Sequence, residues 1–380
     1  MPKWNDFGNI LTTIRELDVS TIRTEAEQPL MIVCVGHPAA VDQVGTLLHQ
    51  GYQRYPLTTP SPFIGIPLNQ ASTQADVIRR ASLLILAIDG RTSLTAAESE
   101  GFGRLDSLAV PYMVALINGS VIAGTATLTP AAHARITAIA DPMAIEAADL
   151  LASAVLERLP AELHLAAARL LPGLRGMYSR DLIAATSFSN AAYALASGLP
   201  EQIPILSVPF AAADILVLTK NQAMLVYRLA LAHAAPPDFQ ARIAEVIPVI
   251  GGAFLWRQAA RSLIGLIPIW GLVPKIAIAY AGTYTTGIAA WRWYENGEMV
   301  STEQVKRISN EALAIGRARA EELIARARIA SSRVADQARS TGTKVAGQAR
   351  ALGDQASTRA RGAGTFFDQV RKRLPFRRKQ

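Results

Sequence analysis

Residues 31–43 contain part of the pattern with which proteins bind nucleotide phosphates. An apolar, β-branched run ends in Gly36, and a helix-like stretch follows it. The complete pattern is a glycine, four residues of any type, then glycine, lysine and serine or threonine, so that the lysine meets phosphate and the hydroxyl holds magnesium. Counted from Gly36, the last three positions hold Val41, Asp42 and Gln43. A carboxylate therefore replaces the lysine and an amide replaces the hydroxyl, which predicts the architecture of a nucleotide site without the groups that do its chemistry.

Two later segments match fragments of the motifs that accompany such a site. Residues 87–90, Ala-Ile-Asp-Gly, resemble the end of the strand that carries the next motif, and residues 116–118, Leu-Ile-Asn, resemble the start of a guanine-binding Asn-Lys-x-Asp motif whose carboxylate is missing. On these residues the first part of the chain resembles a degenerate small GTPase domain of the translation-factor-related superclass. The resemblance implies a P-loop GTPase-like fold that has lost its phosphate and guanine contacts, so we do not expect GTP to bind. The vestigial nucleotide site would comprise Gly36, Val41, Asp42, Gln43 and Asn118.

No other set of residues has the spacing of a catalytic or metal site. The five histidines are scattered along the chain, no Gly-x-Ser-x-Gly motif occurs, and the single cysteine, Cys34, excludes a disulfide within the chain. Asp89 follows a strand-like run, but an Asp-Gly pair there is more often a turn than an active group. The sequence therefore predicts no catalytic residue, no cofactor and no metal.

Alternating strand-like and helix-like segments predict a doubly wound α/β domain over residues 1–160. Continuous apolar runs, which suit strands buried on both faces of a parallel sheet, occur at 31–36, 83–88, 112–117 and 135–139. Helices are expected near 4–17, 39–50, 95–108 and 143–159.

Beyond residue 160 the pattern is helical, and we expect an all-α domain over 161–300. The helix-like segments are 161–171, 178–197, 212–234, 239–258 and 260–291. A capping box, Ser301 with Gln304, opens a further helix in a basic tail over 301–380, whose later part has too few large apolar residues to fold alone.

The helical half carries a second resemblance. It rests on residues 203–209, 220–222, 254–258, on Leu-Ile-Pro-Ile-Trp-Gly-Leu-Val-Pro-Lys at 266–275, and on Ala-Tyr-Ala-Gly-Thr-Tyr at 279–284. These segments are similar to the GTPase-associated domain of unknown function 697, which includes bacterial inner-membrane proteins. The resemblance implies association with a GTPase-like domain and with a membrane. It places the protein at the bacterial inner membrane or its cytoplasmic face, and a cytoplasmic location is the alternative.

The apolar run 262–291 is long enough to cross a bilayer and holds a single charge, Lys275. A lysine in mid-membrane costs about 2.5–3.5 kcal/mol, and the prolines at 268 and 274 would break one continuous helix. The run therefore predicts a transmembrane helix or a hairpin in one leaflet; a hairpin buried in a soluble bundle is the alternative. The residues expected at the membrane interface are Trp270, Lys275, Trp291, Arg292 and Trp293.

Positive charge is concentrated at the C-terminal end. Residues 301–380 carry 18 Lys/Arg and 7 Asp/Glu, a net charge of +11, which leaves 20 basic and 23 acidic residues, a net charge of −3, for the rest of the chain. Basic and aromatic side chains alternate near the C-terminus, a composition typical of segments that bind an anionic membrane surface. Nucleic acid would attract the same charge, and a solvated end is a third interpretation. The tail residues expected to contact a membrane are Phe366, Phe367, Arg371, Lys372 and Arg373.

Together these patterns predict a non-catalytic protein, a pseudo-GTPase domain fused to a membrane-associated helical domain, that acts as a scaffold or regulator for an unidentified protein partner. A divergent GTP-binding protein or hydrolase is one alternative. A nucleic-acid-binding protein that uses its basic tail is the other.

Overall fold

A parallel sheet of five strands forms the centre of the first half of the chain. The computed structural model of the protein describes residues 17–122, 128–198, 212–249, 272–327 and 329. The strands are β1 (Ile32–Gly36), β2 (Phe63–Pro67), β3 (Leu83–Asp89), β4 (Tyr112–Ile117) and β5 (Ile136–Ile139). Their order is β2-β1-β3-β4-β5, and every neighbouring pair is parallel. The predicted α/β architecture is confirmed, and this is one of the common orders of a doubly wound sheet.

Burial explains why the inner strands are apolar up to their last residue. Each residue of β1, β3 and β4 is buried, because helices cover both faces of the sheet. Successive side chains alternate between two core clusters, so that Ile32 and Cys34 enter one while Val33 and Val35 enter the other. β2 is absent from the predicted set because it is a partly buried edge strand whose run, Phe-Ile-Gly-Ile-Pro, is interrupted by glycine and ends in proline.

Six helices lie along the described residues of this half. They are α1 (Ser20–Ala26), α2 (Pro38–His49), α3 (Ala75–Arg79), α4 (Ala96–Asp106), α5 (Pro130–His133) and α6 (Ala147–Arg158). The predicted helices near 39–50, 95–108 and 143–159 are confirmed as α2, α4 and α6. The helix expected at 4–17 lies outside the described residues, except for its last position.

The second half is helical, as predicted. Its helices are α7 (His164–Leu170), α8 (Arg175–Gly198), α9 (Ala212–Ala232), α10 (Phe239–Val249), α11 (Leu272–Asn296) and α12, residues 302–327. The predicted capping box is present at the start of α12. The Ser301 N–H donates to Gln304 Oε1 at 2.8 Å, and the Gln304 N–H donates to Ser301 Oγ at 3.3 Å.

The prediction of a transmembrane helix is wrong. Along the described ranges, no helix combines the length and the apolar character needed to cross a membrane. The described part of the apolar run, 272–291, belongs to α11, which is buried by α8, by α9 and by the start of α12. α11 also carries the buried hydroxyl of Thr283, which accepts a hydrogen bond from Asn190 Nδ2 on α8 at 2.7 Å. A high mean hydropathy does not separate the centre of a helix bundle from a bilayer, because both exclude water.

The sheet and the helix bundle belong to one compact unit, Met1–Ala320, and Glu321–Gln380 forms a second. Within the first unit the loop between α2 and β2 reaches the bundle. Arg54 donates to the Trp293 carbonyl oxygen at 2.9 Å, and its guanidinium lies 4.1 Å from the centre of the Trp293 ring. The loop therefore ties the two halves of the unit together through a hydrogen bond and a cation–π contact.

β1 ends in a glycine because β1 and β3 approach closely at that point. A Cβ atom on Gly36 would lie 1.8 Å from the carbonyl oxygen of Ala87, far inside van der Waals contact. That oxygen accepts a hydrogen bond from the His37 N–H at 3.0 Å, so it cannot move aside without breaking the strand pairing. The sheet itself therefore requires Gly36, whether or not phosphate binds.

We predict that Gly36→Ala lowers the free energy of unfolding by about 3 kcal/mol or more, because a backbone oxygen cannot repack as a side chain can. Gly103→Ala is the matched control. Gly103 lies inside α4, where an added Cβ would meet its nearest neighbour at 3.9 Å. That change should stabilise the protein by about 0.5–1 kcal/mol through helix propensity. Urea denaturation followed by circular dichroism measures both, and a Gly36→Ala protein as stable as the wild type would contradict the prediction.

Candidate functional site

The candidate site lies at the carboxyl ends of β1 and β3. Because β1 stands between β2 and β3, the connections that leave β1 and β3 run in opposite directions across the sheet. In doubly wound sheets this point forms a crevice in which ligands bind. The crevice is bordered by His37 after β1 and by Asp89 at the end of β3, and Asn118 follows β4.

The connection between β1 and α2 is too short to form a phosphate-binding loop. His37 is the N-cap residue of α2 and Pro38 is its first residue, so a single residue separates strand from helix. A phosphate loop needs several backbone N–H groups around the ligand, and proline contributes none. The three residues at the positions of the missing motif lie within α2: Val41 is buried in the core, Asp42 is exposed and Gln43 is half-buried.

Asn118 bonds to two other polar side chains across the crevice. Asn118 Nδ2 donates to Gln43 Oε1 at 2.9 Å and to Asp89 Oδ1 at 3.2 Å. Asn118 has a φ of +61°, a left-handed conformation that asparagine adopts more readily than most residues. The structure thus brings together Gln43 and Asn118 of the predicted vestigial site and adds Asp89 to them.

His37 is buried, and both of its ring nitrogens face polar partners. Nδ1 accepts a hydrogen bond from the Asp89 N–H at 2.9 Å, which assigns the proton of the neutral ring to Nε2. Nε2 lies 3.3 Å from Glu98 Oε1, with an alignment too poor for a full hydrogen bond. Glu98 is fixed in turn by the Thr95 N–H and hydroxyl, which donate to its Oε2 at 2.9 Å and 2.7 Å. In this arrangement His37 has no free lone pair with which to act as a base.

Hydrogen bonds favour the ionised form of two carboxylates at the crevice, Asp89 and Glu98. Burial raises the pKa of Asp89, but hydrogen bonds from the side chain and N–H of Arg91 and from Asn118 outweigh it, and the pKa lies below its ordinary value. Hydrogen bonds from the Thr95 N–H and hydroxyl lower the pKa of Glu98 in the same way. The ionised Glu98 therefore stands near the place where a phosphate site needs positive charge, whereas the charge of Asp89 is balanced by its ion pair with Arg91.

The crevice is closed by groups that satisfy each other. Asp89 accepts from Arg91 Nε and Nη2 at 3.3 Å each, while Gln43 and Asn118 share their amide hydrogen bonds. In the described part of the chain, no group of three or more His, Cys, Asp or Glu side chains could hold a metal ion. A ligand would have to break several of these bonds to enter and to supply new partners for the buried carboxylate of Asp89.

The residues predicted at a membrane interface have other surroundings where the structure describes them. Trp291 and Trp293 are half-buried and pack on the core of the bundle. Arg292 and Lys275 are half-buried on α11. The remaining predicted interface residues, Trp270, Phe366, Phe367, Arg371, Lys372 and Arg373, lie outside the described residues.

Sequence reasoning missed three of the polar residues at the crevice, His37, Arg91 and Glu98. His37 counts only as a scattered histidine in the sequence, because its partner Glu98 is distant along the chain. The pattern Thr95-x-x-Glu98 is a recognisable capping box, and it would have placed Glu98 at the start of a helix. Nothing local indicates that this helix begins beside His37.

No family model, no curated protein and no solved structure matches the chain. The resemblances to a degenerate GTPase domain and to the domain of unknown function 697 therefore stay predictions. Function has to be inferred from the geometry of the described residues.

We predict that Asp89→Asn lowers stability at neutral pH by about 1.5–3 kcal/mol, the usual value of hydrogen bonds to a charged group, and flattens the dependence of stability on acid. Because the pKa of Asp89 is depressed in the folded protein, the unfolded chain takes up the proton first, near its ordinary value of about 3.9. The stabilisation from Asp89 is therefore complete well above that pH and is lost as the pH falls towards the folded pKa.

Urea denaturation at a series of pH values, from neutral pH down to the pH at which the protein unfolds without urea, measures this dependence. Asp76→Asn is the control, because Asp76 forms an exposed ion pair with Arg79 that should contribute little. Equal acid dependence in the wild type and Asp89→Asn would contradict the prediction.

Proposed function

We propose that this protein is a non-catalytic scaffold or regulatory protein whose α/β part is a pseudo-GTPase domain. The observation that supports this function is the closed crevice between β1 and β3. Asn118 bonds to Gln43 and to Asp89 where a nucleotide would lie, and α2 begins too early for a phosphate loop. A domain that keeps its sheet and fills its ligand crevice with its own side chains is suited to a scaffold role, in which the rigid sheet positions surfaces that bind other proteins.

The arrangement favours this function over a divergent nucleotide hydrolase. Hydrolysis would need a positive group for the transferred phosphate and a group that orients water. Asp42 stands at the position of the phosphate lysine, and the Nδ1 lone pair of His37 already accepts a hydrogen bond from the Asp89 N–H. The carboxylate of Glu98 adds negative charge at the same edge, and Arg91 is already paired with Asp89.

Thermal unfolding with and without GTP and magnesium tests the proposal. We predict no change in Tm. A site occupied at a hundred times its Kd would add about 2.7 kcal/mol to the free energy of unfolding and would raise Tm by roughly 4 °C. Asn118→Ala supplies the control: a rise in Tm with GTP that this variant abolishes would replace the proposal with a divergent GTP-binding protein or hydrolase.

The composition of the C-terminal tail supports a second part of the proposal, peripheral association with an anionic membrane surface. Residues 371–373 are Arg-Lys-Arg and follow a Phe-Phe pair at 366–367. Each basic residue near such a surface contributes about 1 kcal/mol, and the aromatic rings partition among the headgroups. The scaffold would then be held at a membrane by its tail.

Co-sedimentation with phosphatidylglycerol vesicles tests the tail. We predict that Arg371→Glu/Lys372→Glu/Arg373→Glu weakens binding by on the order of a hundredfold. The matched control changes three exposed basic residues of α12 instead, Lys306→Glu/Arg307→Glu/Arg317→Glu, and should have a much smaller effect. If the tail variant keeps vesicle binding but loses binding to duplex DNA, the tail is a nucleic-acid-binding segment.

A further inference from the structure

Exposed large apolar side chains are concentrated in one region of the described chain. Among the described residues, eight such side chains are exposed, and four of them lie between residues 121 and 150. These are Val121, Met143, Ile145 and Leu150, which are 75%, 89%, 97% and 46% exposed. Single exposed apolar residues are ordinary on protein surfaces, but several on neighbouring loops mark an interaction surface.

A tight turn after β5 holds Met143 and Ile145 in solvent. Asp141 Oδ1 accepts a hydrogen bond from the Met143 N–H at 2.9 Å, and the Ala144 N–H donates to the Asp141 carbonyl oxygen at 3.2 Å. The core next to β5 is filled by residues of α6, among them Ala147 and Leu151, and Met143 and Ile145 take no part in it. Because the backbone is ordered in advance, binding to these side chains would cost little conformational entropy.

The loops after β4 and β5 emerge side by side at the carboxyl edge. The Asn118 N–H, just beyond β4, donates to the Ile139 carbonyl oxygen at the end of β5 at 2.9 Å. Val121 follows on the first loop, and Leu150 lies in the first turn of α6 after the second loop. We call these two neighbouring segments, with their exposed residues Val121, Met143, Ile145 and Leu150, the β4–β5 edge. It adjoins the closed crevice but takes no part in its hydrogen bonds.

The β4–β5 edge is flanked by negative charge. Residues 136–150 include three carboxylates and no lysine or arginine. Asp149 is paired with Arg180, whereas Asp141 and Glu146 are exposed and form no ion pair among the described residues. Two uncompensated carboxylates beside apolar side chains favour a partner with the opposite charge and would repel anionic lipid or nucleic acid.

We propose that the β4–β5 edge is a docking site for a protein segment that presents apolar side chains next to lysine or arginine. This inference rests on the proposed function, since a scaffold whose ligand crevice is closed must bind its partner elsewhere. Contact with Met143 and Ile145 would supply most of the affinity, and Asp141 and Glu146 would select a basic partner.

Selection of a phage-displayed library of random peptides on the full-length protein tests this proposal. The enriched peptides are expected to combine aliphatic or aromatic residues with lysine or arginine. They should bind Met143→Ser/Ile145→Ser at least about tenfold more weakly than the wild type, because the variant loses both exposed anchors and no buried group. Met299→Ser is the matched control, since Met299 is 60% exposed elsewhere in the same unit, and it should leave binding unchanged.

A second variant separates charge from apolar contact. Asp141→Asn/Glu146→Gln removes both carboxylates and keeps an oxygen acceptor in the turn, so it should weaken binding less and should reduce its dependence on salt. The proposal is overturned if the enriched peptides bind Met143→Ser/Ile145→Ser as tightly as the wild type, or if they lack basic residues. Loss of phosphatidylglycerol vesicle binding in the same variant would assign the surface to lipid. GTP binding would overturn the proposed function instead and would leave these peptide measurements unchanged.

Discussion

The close parallel pairing of β1 with β3 at Gly36 is the constraint on which the carboxyl edge depends. With no side chain on Gly36, the Ala87 carbonyl group comes near enough to accept the His37 N–H. That bond carries the sheet pairing one residue past the strand and aims the His37 ring at the Asp89 N–H. α2 begins immediately afterwards, so no chain is left over to form a loop around a phosphate. The glycine that looks like the first residue of a nucleotide motif therefore serves the pairing of the strands.

The sequence predicts the inner strands well and the contacts at their ends poorly, for a physical reason. A strand buried on both faces must be apolar at each position, so β1, β3 and β4 are visible as uninterrupted runs. β5 also follows its predicted run, while the edge strand β2 has no such requirement. At the site, spacing indicates that Gln43 and Asn118 share an edge of the sheet. Their hydrogen bond depends on the left-handed backbone of Asn118 and on where α2 begins, and neither is encoded in a local pattern.

The apolar run in α11 shows the same limit of sequence reasoning in a helix. Both a bilayer and the centre of a bundle favour long apolar stretches, and the interpretation turns on the few polar residues among them. Thr283 accepts a hydrogen bond from Asn190, and Asn190 Oδ1 accepts one from Asn221 Nδ2 at 2.6 Å, so three helices are joined by side chains inside the bundle. The polar groups thus find partners on neighbouring helices of the same chain. The sequence reveals that such residues exist but not which helix satisfies them.

At the carboxyl edge of the sheet, the polar side chains of His37 and Asp89 are buried, whereas the apolar side chains of Met143 and Ile145 after β5 are exposed. Around β1 and β3, Asn118 bonds both Gln43 and Asp89, and the Asp89 N–H bonds His37, so a ligand here would have to replace hydrogen bonds that already exist. After β5, Met143 and Ile145 are held away from the core by a turn that Asp141 stabilises, and their apolar surface stays in water. Removing that surface from water would release about 25 cal/mol per Å², and nothing within the described residues does so. An association that covers the β4–β5 edge would therefore be favourable, whereas one that opened the crevice would first have to replace hydrogen bonds that the fold already makes.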